Sequence, residues 1–282
     1  MSTPDYIAIE RMRKQGYGEG EGQSYKPWIT ASRSGSRGVI TRHLGGLTGR
    51  IHHLLSLLEL RCLLLLEWDT DVVDIREQFP LHSIDETREI AAALGYKHPG
   101  ERRKTRGSFH YHDIVMTTDF RVRLAPGLGA REVMLAVKPT SALADDRVLE
   151  KLEIERTYAE RLGIPWFLVT EAELPVVVTD NLRLILKYRS IEHFPLEPRD
   201  ILTHLGELFG ELTRSEAPTA AVCREFDKRH GFTRGASLTL VWHAIATRAW
   251  SVDLSKELNP DRPLVGLQLG RRASATKRQE VA

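Results

Sequence analysis

Cysteine is scarce in this chain: there are two in 282 residues, Cys62 and Cys223, each inside an apolar stretch. That excludes a disulfide framework and a cysteine-rich zinc site, and both thiols read as small core residues of a reducing compartment. Charge of one sign is also missing. With 40 basic and 38 acidic residues the net charge is +2, so contact with nucleic acid must come from local patches rather than a global field. No apolar run reaches bilayer-spanning length. Leu54 to Leu66 is short and is interrupted by Glu59 and Arg61, which fits a core helix. The first residues carry no apolar secretory segment, so neither export nor a membrane is expected. Gly16, Gly18, Gly20 and Gly22 are spaced like a phosphate cradle, but no strand precedes them and no GK[ST] follows. A GxSxG nucleophile elbow is absent. What remains is 41% hydrophobic and 28% charged, enough to bury one large or two modest domains.

The pattern along the chain divides it. Residues 1–48 have an irregular, glycine- and serine-rich composition, with Tyr25-Lys26-Pro27-Trp28 able to dock on a core. From Gly49 to Trp68 the apolar residues fall at helical spacing. Strands are expected over Asp71–Phe79, Ile114–Leu124, Glu132–Lys138 and Ile164–Val169, and a helix over Asp145–Leu162 stopped by Gly163. Residues 82–113 look like an insertion with a short helix and a basic loop. The order α, β, β, β, α, β predicts an α/β core of mixed sheet flanked by helices over 49–172. Residues 173–268 turn helical, with Asp200–Leu212 apolar on one face, Pro218–His230 ending at Gly231, and Ser237 as cap of a third helix. Trp250–Leu254 could add a wing, which would make this a winged-helix-like domain. Residues 269–282 form a basic tail.

Three residues stand out chemically. Glu59 sits on an apolar helical stripe, where a carboxylate is costly to bury unless it is paired or bound to metal. It could hold a divalent cation, or close a buried ion pair with an arginine or lysine. Asp119 shares a strand face with Arg121 and Arg123, and Lys138 shares one with Met134 and Ala136. Strands lie about 4.8 Å apart, so Asp119 and Lys138 could line one cleft. Two acids and a lysine suit metal-assisted hydrolysis of a phosphodiester. Arg102, Arg103, Lys104 and Arg106 form a basic cluster that could meet DNA phosphates or be a solvated loop. The adjacent His52 and His53 cannot both face one site on a helix, and His110 and His112 share a strand face without a third ligand, so structural roles are expected for all four.

An ordered series of segments then carries a family resemblance. It runs from Tyr25-Lys26-Pro27-Trp28 through Gly49-Arg50-Ile51-His52-His53-Leu54-Leu55-Ser56 and Leu58-Glu59-Leu60 to Leu66-Glu67-Trp68. It continues through Val73-Asp74-Ile75-Arg76-Glu77-Gln78-Phe79-Pro80-Leu81 and Met116-Thr117-Thr118-Asp119-Phe120. Val137-Lys138-Pro139, Leu149-Glu150-Lys151-Leu152-Glu153 and Ile164-Pro165-Trp166-Phe167 complete it. Over roughly residues 10–170 the chain resembles TnsA, the endonuclease subunit of heteromeric cut-and-paste transposases.

The resemblance implies a restriction-endonuclease-like core of the PD-(D/E)xK type. It implies Glu59, Asp119 and Lys138 as catalytic residues, with Glu59, Asp119 and the backbone carbonyl of Val137 on Mg²⁺, which Mn²⁺ could replace. Glu155 matches an acidic family position and could give indirect support. The family usually has a glutamine two residues before the lysine; this chain has Ala136, whose methyl group cannot ligate a cation. The implied activity is cleavage of the 5′ strand at transposon ends. The implied partners are end DNA, a DDE-type (TnsB-like) transposase and an AAA+ (TnsC-like) regulator, in the bacterial cytoplasm and on the nucleoid. Ala136 keeps open a non-cutting DNA-binding and assembly subunit, and a stand-alone restriction enzyme is a third reading.

Overall fold

The structure, a computed structural model, describes residues 4–32, 39–105, 108–129, 131–191 and 198–270. Contacts group the chain into two units, Met1–Leu174 and Pro175–Ala282.

The first unit opens with α1 (Tyr6–Lys14), whose N-cap Asp5 accepts a bond from the Ala8 amide. Two short antiparallel strands follow, β1 (Thr41–Leu44) and β2 (Ile51–Leu54). The helix expected from Gly49 therefore starts later, as α2 (Leu57–Trp68). The physical reason is local. Gly49 turns the chain at φ +67, Ile51–Leu54 pairs with β1, and Ser56 caps α2 by accepting from the Glu59 amide at 3.1 Å. Residues 1–48 are likewise not wholly irregular, since they hold α1 and β1.

The central sheet has four strands. β3 (Val72–Pro80) comes first in sequence. α3 (Ile84–Ala93) and a hairpin of β4 (Gly100–Thr105) and β5 (Ser108–Asp113) separate it from β6 (Thr117–Leu124) and β7 (Glu132–Val137). α4 (Asp146–Arg161) crosses over to β8 (Trp166–Val169). The spatial order is β3-β6-β7-β8, antiparallel except for the β7–β8 pair, so the sheet is mixed. The basic stretch expected as a loop forms the β4–β5 hairpin instead. One core cluster packs α3 and α4 on the sheet through Leu81, Ile90, Met116, Met134, Ile154 and Tyr158. Phe120, Val122 and Ile75 are fully buried in the strands themselves.

The second unit has four helices among the described residues: α5 (Val176–Ile185), α6 (Pro198–Arg214), α7 (Thr219–His230) and α8 (Ala236–Ala246). Gly231 ends α7 at φ +69, a conformation that L side chains rarely adopt. Ser237 is not the cap of α8. Gly235 takes that place, and Ser237 is buried, bonded through its amide and hydroxyl to Asp227. A two-residue ribbon, β9 (Trp250–Ser251) with β10 (Gln268–Leu269), follows, so Leu269 is paired rather than part of the expected tail, and residues 271–282 of that tail lie outside the described residues. Among the described residues no helix is long and apolar enough to cross a membrane.

Candidate active site

Five elements of the first unit converge on one acidic cleft. Glu59 comes from the first turn of α2. Its carboxylate accepts from the Leu55 amide at 2.9 Å, the Ser56 hydroxyl at 3.0 Å and the Gln78 side-chain amide at 3.2 Å. With Ser56 it forms a reciprocal cap, so the helix start and the acid are one construction. Glu59 is only 5% exposed. Burial, then the neighbouring Asp119 charge, push its pKa up to about 7.

Asp119 on β6 is held by β7. Its Oδ2 accepts from the Val137 amide at 2.7 Å and from the Lys138 ammonium at 2.6 Å. Lys138 directly follows β7, its amide bonded to Val169, and its Nζ also donates to the Val137 carbonyl at 3.1 Å. That carbonyl thus faces the same cleft. Burial works to deprotonate Lys138, but the Asp119 and Glu155 carboxylates outweigh it, so its pKa stands above the usual lysine value. Glu155 reaches in from α4. It is 5% exposed and takes a bond from the Trp166 indole at 3.0 Å, and burial followed by the Asp119 charge lifts its pKa to about 7.

Ala136 lies on this cleft. Phe120 pairs with Leu135, so one step along the antiparallel ladder sets Ala136 opposite Asp119 on the same face. Ala136 is fully buried. Glu132, on the same strand face, is bound by both Arg76 and Arg121, so its carboxylate is committed elsewhere.

Gln78 is the cleft residue that the sequence reading missed. It has φ +47, a conformation that costs a non-glycine residue about 1–3 kcal/mol. The β3–β6 register pairs Glu77 with Phe120 and Phe79 with Thr118, leaving Gln78 beside Asp119. Its amide donates to Glu59 and its carbonyl oxygen accepts from Thr117 at 3.4 Å. One signal was available. Asp74, Arg76, Glu77 and Gln78 crowd the segment expected as a strand, and the structure buries all four, which polar residues seldom are unless they are paired. Glu77 is the anchor among these. It takes two bonds from Arg50, at 2.8 and 2.6 Å, one from His52 at 2.8 Å and the His53 amide at 3.0 Å. Burial alone would raise its pKa, but those donors bring it down to about 2. His52 and His53 thus serve structure from a strand, as expected, though not from a helix.

The residues fit a hard divalent cation. Two carboxylates and a carbonyl converge, and one carboxylate is strained toward its protonated form by burial beside the other, a condition that a cation relieves. The basic residues stand apart. Arg102 lies over the Phe109 ring in the β4–β5 hairpin at 5.1 Å. Arg103 and Lys104 belong to β4, and Arg106 lies outside the described residues.

Comparison with known proteins gives consistent results. Residues 69–171 match the family model "TnsA-like endonuclease N terminal", and residues 173–254 match "TnsA endonuclease C terminal". The first match starts beyond Glu59. The chain is 39% identical over 233 residues to the Escherichia coli protein "Transposon Tn7 transposition protein TnsA", covering 83% of this chain and 81% of that protein.

Proposed function

The chain belongs to the TnsA family of transposon endonucleases, and from that premise we propose that it cuts the 5′ strand at each transposon end with Mg²⁺ bound between Glu59 and Asp119. The observation that carries this reading is the convergence of Glu59, Asp119 and Lys138 from α2, β6 and the end of β7. The element order α2, β3, β6, β7, α4, β8 supports a restriction-endonuclease-like core of the PD-(D/E)xK type. The helices of the second unit with the β9–β10 ribbon support a winged-helix-like domain. We take the catalytic core as residues 49–172 and the second domain as 173–268.

Glu59, Asp119 and the Val137 carbonyl would hold the cation. A cation held there would supply acidification of water and offset charge on the scissile phosphate. Mn²⁺, also an oxygen-seeking cation, would substitute. Lys138 then acts as a fixed positive charge. Its raised pKa makes it a poor general base at neutral pH and a good partner for charge on the phosphorane-like transition state. Asp119 and the Val137 carbonyl aim its ammonium, and buried Glu155 keeps it protonated. Gln78 is a positioning residue that orients the Glu59 carboxylate through its side-chain amide.

The partners in this reading are transposon-end DNA, a DDE-type (TnsB-like) transposase that cuts and joins the 3′ end, and an AAA+ (TnsC-like) regulator contacted by the second domain. The hairpin residues Arg102, Arg103 and Lys104, with Arg106, would meet DNA phosphates.

A nicking assay with labelled end DNA, the partner transposase and Mg²⁺ tests the reading. A 5′-strand nick that Asp119→Ala removes supports it. A second reading rests on Ala136, which offers no ligand opposite Asp119: a non-cutting DNA-binding and assembly subunit. Assembled complexes that join 3′ ends without any 5′-strand nick would favour that one.

A further inference from the structure

A second set of metal-binding side chains lies in the other unit, on helices that the cleavage reading does not use. α6 carries His204 and Glu207 one turn apart, so both project from one helix face. His230, the last residue of α7, comes against them. Its Nε2 is 3.4 Å from Glu207 Oε2, and His204 Nδ1 is 4.0 Å from the same oxygen. The three donor atoms fall within 4.8 Å of one another. In a tetrahedral zinc site the donors stand about 3.4 Å apart, from bond lengths near 2.1 Å. The half-exposed Glu207 side chain can turn, and the two imidazole nitrogens, within 4.8 Å of each other, must draw together to close the site.

An ordinary ion pair explains part of this cluster. A charged His230 would pair with Glu207 while stacking on Phe226 at 4.2 Å. It leaves His204 unexplained. Nδ1 of His204 is buried and has no hydrogen-bond partner among the described residues. The ring is held edge-on to Phe226, Phe232 and His230, at 6.0, 4.8 and 4.8 Å. Its Nδ1 lies 4.0 Å from the Glu207 carboxylate and within 4.8 Å of the His230 donor. The nearby Arg229 is engaged by Glu211 at 2.8 Å, so Glu207 is not needed to neutralise it. A helix C-terminus also favours a cation.

We propose that His204, Glu207 and His230 bind one zinc-class cation that pins α6 to the end of α7, with water as the fourth ligand. Two imidazoles and one carboxylate select zinc over magnesium. The cation therefore differs in kind from one held by the oxygen donors of the acidic cleft.

The test uses the full chain, stripped with a chelator, returned to excess Mg²⁺ and titrated with Zn²⁺. Bound zinc is counted by mass spectrometry and unfolding is followed by heat. One zinc per chain should remain in wild type and in Asp119→Ala, should raise the melting temperature, and should be lost from His204→Ala. Glu207→Gln guards against a variant that fails to fold, because this side chain is half exposed. It should keep the metal-free melting temperature while weakening zinc by about tenfold or more. A wild-type chain that holds no zinc overturns the proposal. So does zinc that both variants at this cluster keep at undiminished affinity, or zinc that only Asp119→Ala loses.

Discussion

Replacing Glu59 by glutamine should stabilise the metal-free protein at pH 8 and destabilise it relative to wild type once Mg²⁺ is added. The folded pKa of Glu59 is raised to about 7 from the ordinary 4.5. Between those values the folded state keeps a proton that the unfolded state has released, so stability falls as pH rises through the interval. The full penalty is present above pH 7 and amounts to roughly 3 kcal/mol at 1.36 kcal/mol per pKa unit. Glutamine removes it. Its single carbonyl oxygen can take the place of Oε2 and serve the Leu55 and Gln78 donors, but the Ser56 hydroxyl then loses its acceptor Oε1, which costs about 1 kcal/mol. The net gain is about 2 kcal/mol at pH 8, or roughly 4–8 °C in melting temperature for a unit of this size. At pH 5 the two effects should nearly cancel, within about 1 kcal/mol. Saturating Mg²⁺ reverses the order. At a hundredfold excess over its dissociation constant it adds about 2.7 kcal/mol to wild type and little to the variant. The assay is calorimetric unfolding in chelator at pH 5 and pH 8, repeated at pH 8 with Mg²⁺. A variant that is less stable than wild type in chelator at pH 8 would refute the reasoning, because Glu59 would then be a satisfied anion rather than a strained one.

Other outcomes follow from the same contacts. Asp119→Ala should reduce 5′-strand nicking by about 10²-fold or more while leaving assembly with the transposase intact, as read by the nicking assay and by gel shift of the assembled complex. Glu77→Gln breaks the buried pairing with Arg50 and His52 and should cost about 3–5 kcal/mol in denaturant unfolding at pH 7. Because Glu77 is depressed to about 2, its stabilisation is complete above pH 4.5 and is lost as pH falls toward 2, so the deficit should shrink with acid. Ala136→Gln should lower the Mg²⁺ concentration needed for nicking by about tenfold or less; its full burial makes overpacking the opposing effect, and an unchanged titration in a folded variant would remove the position from the metal site. Limited proteolysis should cut between about residues 170 and 200, near the Leu174–Pro175 division, and each fragment should fold alone.

The elements with strong local signals were legible in the sequence. α4 has a 3.6-residue period and ends before Gly163, where positive φ is needed. β6 alternates, with Phe120 and Val122 inward and Asp119 on the other face. The start of α2 was also written there, as Ser56-Leu57-Leu58-Glu59, but a run of leucines extended the apparent helical period across Ile51–Leu54. That segment becomes a strand because β1, just upstream, pairs with it, and the apolar period of one segment does not record the strand it pairs with.

By itself the sequence determined the chemistry available: two acids and a lysine on separate elements, an alanine two residues before that lysine, and too few cysteines for a disulfide framework or a cysteine-rich zinc site. Only the tertiary structure decided what those groups are. The β6–β7 register brings Asp119 onto Lys138 and holds the lysine charged, and burial of α2 against the sheet carries Glu59 to a pKa of about 7. Gln78 entered the cleft only because its backbone is turned to φ +47 between two paired residues. Ionisation and side-chain direction depend on what lies within a few ångströms, and in this chain those neighbours come from residues far apart in sequence.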